Sequence, residues 1–346
     1  MPGDSLFKSL NAIVKMGLVM TAQTQEGVKE RIRRAAEVTV KTCLGVKAGE
    51  KFLVITDLDT EVIGRAIAEA GWDVGAETML VVMRPRTRHG EEPPEPVAVM
   101  WSKVDVFVAP TKYSLTHTQA RKRATEAGAR GATMPMITLD VFVEGMSIDY
   151  NVVKSNCDKM LRALEGAKEV RVTSPTGTDV RFSVEGRRFI ADTGILTEKG
   201  SFGNLPAGEV FVAPIEGTAN GVVVFDGAIA GVGMLKAPVK VLVEDGFAVG
   251  FEGGDEAQKL KQLLDSVKMR EAFNVAEFGI GTNPGARIVG NILMDEKVYK
   301  TVHIAFGDNS TIGGNIRAGI HLDGIITRPT VYVDGKTIMR DGEWLI

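Results

Sequence analysis

The sequence of 346 residues is poor in cysteine, in aromatic residues and in uninterrupted apolar runs. Its two cysteines, Cys43 and Cys157, are far apart and form no Cys-x-x-Cys pair. This excludes a disulfide framework and a cysteine-based structural zinc site, and we expect two reduced thiols in or near cores. No stretch approaches the roughly 18 apolar residues that a membrane-spanning helix needs. The net charge of −3 lacks the basic excess that is typical of nucleic-acid-binding proteins.

The amino-terminal residues lack the basic start and long apolar run of a secretory signal. Lys15 interrupts the apolar run of residues 12–20, which we interpret as an amphipathic helix. These features predict a cytoplasmic protein, and the chain length is about right for two domains.

The first half of the chain alternates apolar strand-like runs with helical patterns. Expected strands are 51–57, 78–83, 104–110 and 132–138; expected helices are 61–70, closed by Gly71, and 118–127. This βαβ order predicts a doubly wound parallel sheet with helices on both faces. The charged, proline-rich stretch 84–96 is typical of an exposed loop.

The second half has a different sequence pattern, with short strand-like runs separated by turns, and it begins after a helix expected at 152–166. Short strand-like runs flank Asp245-Gly246 and Asp334-Gly335, and both pairs are signals for type I′ hairpin turns. A further helix is expected at 255–273. The fold class is therefore α/β, with an N-terminal doubly wound parallel-sheet domain and a β-rich α+β C-terminal metal-binding domain. We place the first domain at residues 1–165, forming one wall of a cleft, and the metal-site domain at 166–346.

Two of the four histidines lie near acids towards the end of the chain. His321 and Asp323 are two residues apart, so on a strand they would share a face and could bind one ion. The alternative is a surface histidine near a turn. His303 lies in an apolar run, where a lone histidine is more often a core residue than a ligand, but its nearness in sequence to the His-x-Asp pair favours a ligand.

Several carboxylates interrupt apolar stretches of the second half. Glu209 and Glu277 do so most clearly, and a buried carboxylate needs a cation or a metal as partner. Glu216 is either a site residue or an exposed turn acid. Glu296 lies in a charge run, Asp295–Lys297, that is more typical of solvated side chains. Imidazole together with carboxylate suits zinc, cobalt, manganese or iron(II).

His117 lies just after an expected strand, where a helix begins. Ligands usually bind at the carboxyl ends of parallel strands, so His117 and Arg121 could lie near a substrate. The hydroxyl residues around His117 could equally be simple helix caps. A nucleotide site is disfavoured, because no Gly-x-Gly-x-x-Gly follows the first strand.

Motifs along most of the chain resemble the aminopeptidase T (M29) family of metallopeptidases. The first-domain motifs are Ser114-x-Thr116-His117-Thr118-x-Ala120-Arg121, Gly128-Ala129-Arg130 and Met134-Pro135. The second-domain motifs are Leu205-Pro206-x-Gly208-Glu209-Val210-Phe211-x-Ala213-Pro214, Glu277, His303-Ile304-Ala305-x-Gly307 and His321-x-Asp323.

The resemblance implies a homodimeric two-metal aminopeptidase that acts on peptides or small molecules. Its metal ligands would be Glu209, Glu277, His303, His321 and Asp323, and Glu277 would bridge the ions. The general base would be Glu296 or Glu216, and His117 would lie near the cleft.

One departure from the family keeps a second function open. Where the family has a tyrosine shortly after the histidine motif, this chain has Asp308-Asn309. The related 2,5-dihydroxypyridine dioxygenases share the fold and the closing His-x-Asp pair, and they use one iron(II). His303, His321 and Asp323 could form such a facial triad.

Overall fold

The structure is a computed structural model that describes residues 22–346, so the helix expected at 12–20 lies outside the described residues. The α-helices are α1 (Ala22–Glu37), α2 (Glu61–Asp73), α3 (Glu95–Trp101), α4 (Gln119–Glu126), α5 (Leu139–Met146), α6 (Tyr150–Ala163), α7 (Gly254–Asp265) and α8 (Ile292–Asp295). A π-helical segment spans Val38–Cys43, and a 3₁₀ turn spans Arg270–Phe273. Within the described range, no helix combines the length and apolarity needed to cross a membrane.

The strands belong to three sheets. They are β1 (Lys51–Asp57), β2 (Glu77–Met83), β3 (Val106–Thr111), β4 (Arg130–Pro135), β5 (Glu169–Thr173), β6 (Asp179–Ser183), β7 (Ile190–Asp192), β8 (Phe202–Asn204), β9 (Glu209–Val212), β10 (Asn220–Phe225), β11 (Ala228–Ile229), β12 (Gly233–Met234), β13 (Val239–Glu244), β14 (Phe247–Glu252), β15 (Val275–Gly281), β16 (Val302–Gly307), β17 (His321–Ile326), β18 (Thr330–Val333), β19 (Lys336–Arg340) and β20 (Glu343–Trp344).

The chain divides into two compact units. Among the described residues, the first contains 22–152 together with Gly194–Ala207, and the second contains Val153–Thr193 and Gly208–Ile346. The sequence had placed residues 153–165 in the first domain, and it gave no sign that 194–207 return to that unit. The return adds β8 to the sheet of the first unit, beside β4. The cleft wall expected from the first domain stays a prediction.

The first unit is built on a parallel sheet of order β2-β1-β3-β4-β8. β1 is buried on both faces, as its continuous apolar run requires. Leu53 and Ile55 pack into a core with Trp101 of α3, while Phe52 faces Gly71 of α2. Helices therefore cover both faces, and the predicted doubly wound sheet is confirmed.

Two expected helix ends in the chain are wrong. Helix α2 continues through Gly71 to Asp73, because the missing side chain at Gly71 lets the helix pack closely on Phe52 and Thr78. The helix expected at 255–273 ends at Asp265, and a separate 3₁₀ turn follows it. Lys268 lies between them with φ of 58°, a left-handed conformation that no α-helix continues through.

The second unit contains two antiparallel sheets. Their orders are β14-β13-β10-β6-β5-β18-β19-β20 and β12-β11-β17-β16-β15-β9-β7. Both predicted Asp-Gly turns are confirmed: Asp245, Gly246, Asp334 and Gly335 all have positive φ, as type I′ turns require.

The two sheets of the second unit pack through aromatic side chains. Phe182 of β6 lies 5.3 Å from Phe278 of β15, and Phe225 of β10 lies 6.1 Å from Phe306 of β16, between ring centroids. Since side chains alternate along a strand, Glu277 and Ala305, the neighbours of these phenylalanines, point to the opposite face of the seven-stranded sheet. That face carries the polar residues described next.

Candidate metal centre

Four neighbouring strands bring the predicted ligands to one face of the seven-stranded sheet. Glu209 of β9 lies opposite Gly281 of β15, and His303 of β16 lies opposite Gly279. Ala305 lies between Glu277 of β15 and Asp323 of β17. His321 is two residues before Asp323 on the same strand and therefore shares its face.

Small residues between the ligands make room for their side chains. A Cβ atom on Gly279 would lie 2.0 Å from Nε2 of His303, and one on Gly281 would lie 2.0 Å from the carbonyl oxygen of Val298. Any larger residue at Gly279 would therefore displace the imidazole. Gly279 thus makes room for a ligand, whereas Gly281 makes room for the backbone of Val298.

The ligand atoms form two groups that share one carboxylate. The first group is Glu209, Glu277 and His303; the second is Glu277, His321 and Asp323, and within each group the ligand atoms lie within 4.8 Å of one another. Nε2 of His303 is 3.2 Å from Oε2 of Glu209 and 3.3 Å from Oε1 of Glu277. Nε2 of His321 is 3.3 Å from Oε2 of Glu277 and 3.4 Å from Oδ1 of Asp323.

The cluster is suited to hold a divalent metal. Oε2 of Glu209 and Oδ1 of Asp323 are buried and have no hydrogen-bond partner among the described residues. One of these atoms belongs to each group, and both point towards a histidine Nε2 of that group. Buried carboxylate oxygens without donors are costly unless a cation takes the donor's place.

The pKa values show how the cluster is balanced in the absence of metal. Burial alone would lower the pKa of His303, but its hydrogen bond to Glu277 and the negative charge of Glu209 raise it to about 9. Burial would raise the pKa of Glu277, but hydrogen bonds to His303 and His321 hold it well below its ordinary value. Without metal, therefore, protons on the imidazoles supply the positive charge that the carboxylates need.

A lysine that sequence reasoning missed lies at the edge of the cluster. Lys297 is 2% exposed, and its Nζ is 2.5 Å from Oε1 of Glu209 and 2.6 Å from Oε1 of Glu296. Asp192 lies 3.9 Å from the same nitrogen. Asp295 is also fully buried and the side chain of Glu296 is 17% exposed, so Asp295–Lys297 is not a solvated charge run. Two of its partners, Glu209 and Asp192, are far away in sequence, so the local pattern could not reveal the burial of Lys297.

Glu296 shares this buried environment. Burial raises the pKa of its carboxyl group to about 8; Lys297 opposes the shift, and the negative charges of Glu209 and Asp323 add to it. A carboxyl group with such a pKa can hold or release a proton near neutral pH.

The other predicted site residues have different surroundings. Glu216 is paired with Arg187, with 2.5 Å between Oε2 and Nη2, and it also accepts hydrogen bonds from Asn309 and from the backbone N–H of Asn315. His117 is exposed in the first unit, directly before Thr118, whose side chain caps α4. Its nearness to substrate stays a prediction.

Arg121 is held within the first unit. Its Nε donates to the carbonyl of Thr116 at 2.7 Å, and its guanidinium lies over the ring of Phe202, 4.1 Å from the centroid. These contacts tie α4 to β8.

Both free cysteines are buried, as the sequence predicts.

Comparison with known proteins confirms the resemblance seen in the motifs. A profile of the 2,5-dihydroxypyridine 5,6-dioxygenase (NicX) family matches residues 32–346. A curated relative, the 2,5-dihydroxypyridine 5,6-dioxygenase of Pseudomonas putida, is 25% identical over 197 residues, which make up 52% of this chain and 55% of that protein. The match thus spans little more than half of the relative's length.

Two solved structures share the fold over most of the chain. The 2,5-dihydroxypyridine dioxygenase from Pseudomonas putida superposes with a TM-score of 0.78 at 18% identity, covering 91% of this chain and 96% of that one. Wild-type AmpT from Thermus thermophilus superposes with a TM-score of 0.70 at 19% identity, covering 92% and 100%. At these identities the superpositions establish the fold.

Gly279→Ala should displace His303 and weaken metal binding, because the new methyl group would occupy the position of the imidazole. We expect a loss of at least about tenfold in metal affinity, in line with other changes that misplace a metal-binding histidine. The measurement is competition with a chromophoric chelator. Gly250→Ala is the matched control, since a Cβ there meets Leu242 at 3.3 Å in the other sheet. Equal affinities in the two variants would contradict this account of Gly279.

Metal binding should release protons and strengthen as the pH rises towards 9. His303 has a raised pKa of about 9 and must lose its proton to bind a metal. Because its pKa is raised by folding, protonated His303 also stabilises the metal-free protein. This contribution to the free energy of unfolding is fully present below the pKa of histidine in the unfolded chain and is lost as the pH rises through about 9. Calorimetry in buffers of different ionisation enthalpy would count the protons. A metal affinity that stays the same between about pH 6 and pH 8 would contradict the prediction.

Proposed function

We propose that this chain, which belongs to the 2,5-dihydroxypyridine 5,6-dioxygenase family and shares its fold with AmpT, is a two-metal hydrolase that removes amino-terminal residues from peptides. The observation that carries this proposal is the division of the ligands into two groups that share Glu277. A carboxylate between two ligand groups suits a pair of ions 3.5–4 Å apart, roughly the spacing of two-metal hydrolases.

The position of the two histidines favours a pair of ions over a single one. His303 belongs to one ligand group and His321 to the other. A single iron(II) held by two histidines and one carboxylate would need both imidazoles around the same point. Here each imidazole is instead accompanied by two carboxylates.

The charge of the cluster calls for a divalent metal. With neutral histidines and ionised carboxylates, Glu209, Glu277, Glu296 and Asp323 carry four negative charges, and the ammonium group of Lys297 supplies one positive charge. Three negative charges then remain; one divalent ion would leave one negative charge and two would leave one positive charge. Buried charge needs such compensation, and the number of ions follows from the ligand geometry.

The chain's own residues would divide the work of the reaction. Glu277 would bridge the two ions, Glu209 and His303 would complete one ligand set, and His321 and Asp323 the other. Such ions supply Lewis acidity and lower the pKa of bound water. Glu296 would accept a proton and return it to the leaving amine, and Lys297 would hold its carboxylate beside the cluster.

A second candidate function is ring-opening oxygenation of a hydroxylated pyridine with one iron(II). The family profile favours it, because the profile covers residues 32–346 and the curated relative is named as such a dioxygenase. In this case His303, His321 and Asp323 would hold the iron. Glu209 would then be neutralised by Lys297 and would not need to bind a metal.

Metal content and activity, measured together, distinguish the two functions. For the hydrolase we expect about two zinc, cobalt or manganese ions per chain and cleavage of amino-acid p-nitroanilides. Glu277→Gln should lower the occupancy of both ions and Asp323→Asn that of one, because only Glu277 is shared. Glu252→Gln, an exposed acid in the same unit, is the control. One iron per chain together with oxygen uptake on 2,5-dihydroxypyridine would refute the hydrolase proposal.

Glu296→Gln should lower kcat while leaving metal content unchanged, because the amide cannot accept the proton. The expected loss is about 10²- to 10⁴-fold, the usual contribution of a general base. Glu343→Gln is the matched control, since Glu343 pairs with Lys300 on the surface. If Glu296→Gln keeps the full kcat, another group is the base.

A further inference from the structure

We infer that Glu216 is a positioning residue for His321. Together with Arg187, it anchors the loop of residues 308–316, and the backbone carbonyl of Asp308 in this loop fixes the imidazole of His321. The inference rests on the proposed metal site but not on the reaction catalysed there.

His321 needs support from outside its own strand. It is the first residue of β17, and its strand neighbour is Gly307 of β16, which has no side chain. On the other side of β17, β11 pairs only at Gly324, three residues further on. The side chain of His321 is 31% exposed, whereas that of His303 in the middle of β16 is fully buried. Packing therefore holds the ring of His321 less firmly than that of His303.

The carbonyl of Asp308 supplies the missing support. Nδ1 of His321 lies 2.7 Å from this oxygen, which can only accept a hydrogen bond. The proton of a neutral imidazole is therefore on Nδ1, and Nε2 faces Glu277 and Asp323 with a free lone pair. A metal ligand requires this tautomer and this ring orientation.

Glu216 and Arg187 hold the loop that carries this carbonyl. Oε1 of Glu216 accepts hydrogen bonds from Nδ2 of Asn309 at 2.9 Å and from the backbone N–H of Asn315 at 2.7 Å. Nη2 of Arg187 donates to Oε2 of Glu216, and its Nη1 donates to the carbonyl of Gly313. Both anchoring residues lie outside the loop, so they join it to the body of the second unit.

Asn309 connects this anchor to Asp308. Its side chain is fully buried and donates to Glu216, while its Oδ1 accepts the backbone N–H of Ile316 at 2.8 Å. Gly314 packs against it so closely that a Cβ there would lie 2.0 Å from Cγ of Asn309. A shift of Asn309 would move the adjacent carbonyl of Asp308 and hence the ring of His321.

These contacts also argue against Glu216 as the general base. Both of its carboxylate oxygens already accept hydrogen bonds from Arg187, Asn309 and Asn315. Partial burial would raise its pKa, but these donors hold the pKa below the ordinary value. A carboxylate that is fully engaged and weakly basic is suited to hold structure rather than to move a proton.

The test is metal binding by the Glu216→Ala variant. Zinc affinity is measured by competition with a chelator, and the metal environment is measured by the visible spectrum of the cobalt(II)-loaded protein. We expect one ion to bind about 10- to 100-fold more weakly, as when the hydrogen-bond partner of a metal-binding histidine is removed. The cobalt spectrum should change accordingly, and saturating metal should restore most of the kcat. Arg187→Met removes the same anchor from its other end and should reproduce the effect. Glu185→Ala, in the same turn as Arg187 but on the surface, is the control.

Two outcomes would overturn the inference. Wild-type metal affinity with a large loss of kcat that excess metal does not restore would make Glu216 the general base. Wild-type affinity and wild-type spectrum in both anchor variants would show that the loop does not orient His321. Circular dichroism and thermal unfolding would check that the variants are folded. Glu216→Gln, which preserves the shape of the side chain and the Oε1 acceptor, is a milder variant. Since zinc affinity is measured without substrate, a failure of the hydrolase proposal would leave this test intact.

Discussion

The burial of three carboxylates on one face of a β-sheet is the constraint on which this site depends. Glu209, Glu277 and Asp323 are each at most 7% exposed, and the strand register brings them together. Such an arrangement is stable only if positive charge accompanies it. Lys297 supplies a fixed part of that charge, and His303 and His321 supply the rest as imidazolium ions when no metal is bound. Metal ions replace these protons, so metal binding is coupled to the release of protons from the two histidines.

The same sheet separates the tasks of stability and chemistry by the alternation of side chains. Phe278 and Phe306 join the two sheets of the second unit, while their immediate neighbours carry the ligand face. A rigid, close-packed sheet can therefore hold charged groups at fixed spacing without placing them in the hydrophobic core. Gly279 serves both packing and ligand placement, because the imidazole of His303 occupies the space that a side chain at position 279 would fill.

What could be predicted from the sequence was set by local pattern. The continuous apolar run of β1, the Asp-Gly turns and the carboxylates inside apolar stretches each indicated their structure, because the relevant physics lies within a few residues. The burial of Lys297 could not be predicted in this way, since Glu209 is 88 residues away. The same holds for the pairing of Glu216 with Asn309, 93 residues apart, which converts an apparent site acid into a loop anchor. Charge runs are ambiguous until their distant partners are known.

The role of Lys297 connects the two candidate functions of this fold. Its ammonium group engages Oε1 of Glu209, and only Oε2 faces His303. In a two-metal site, Glu209 would bind its ion through that single oxygen, with Lys297 moderating its charge. In a one-metal site the lysine would instead neutralise Glu209 and make the first ligand group superfluous. The number of ions is therefore decided by whether Oε2 of Glu209 is a ligand. This oxygen has no hydrogen-bond partner among the described residues and lies 3.2 Å from Nε2 of His303, which favours two ions.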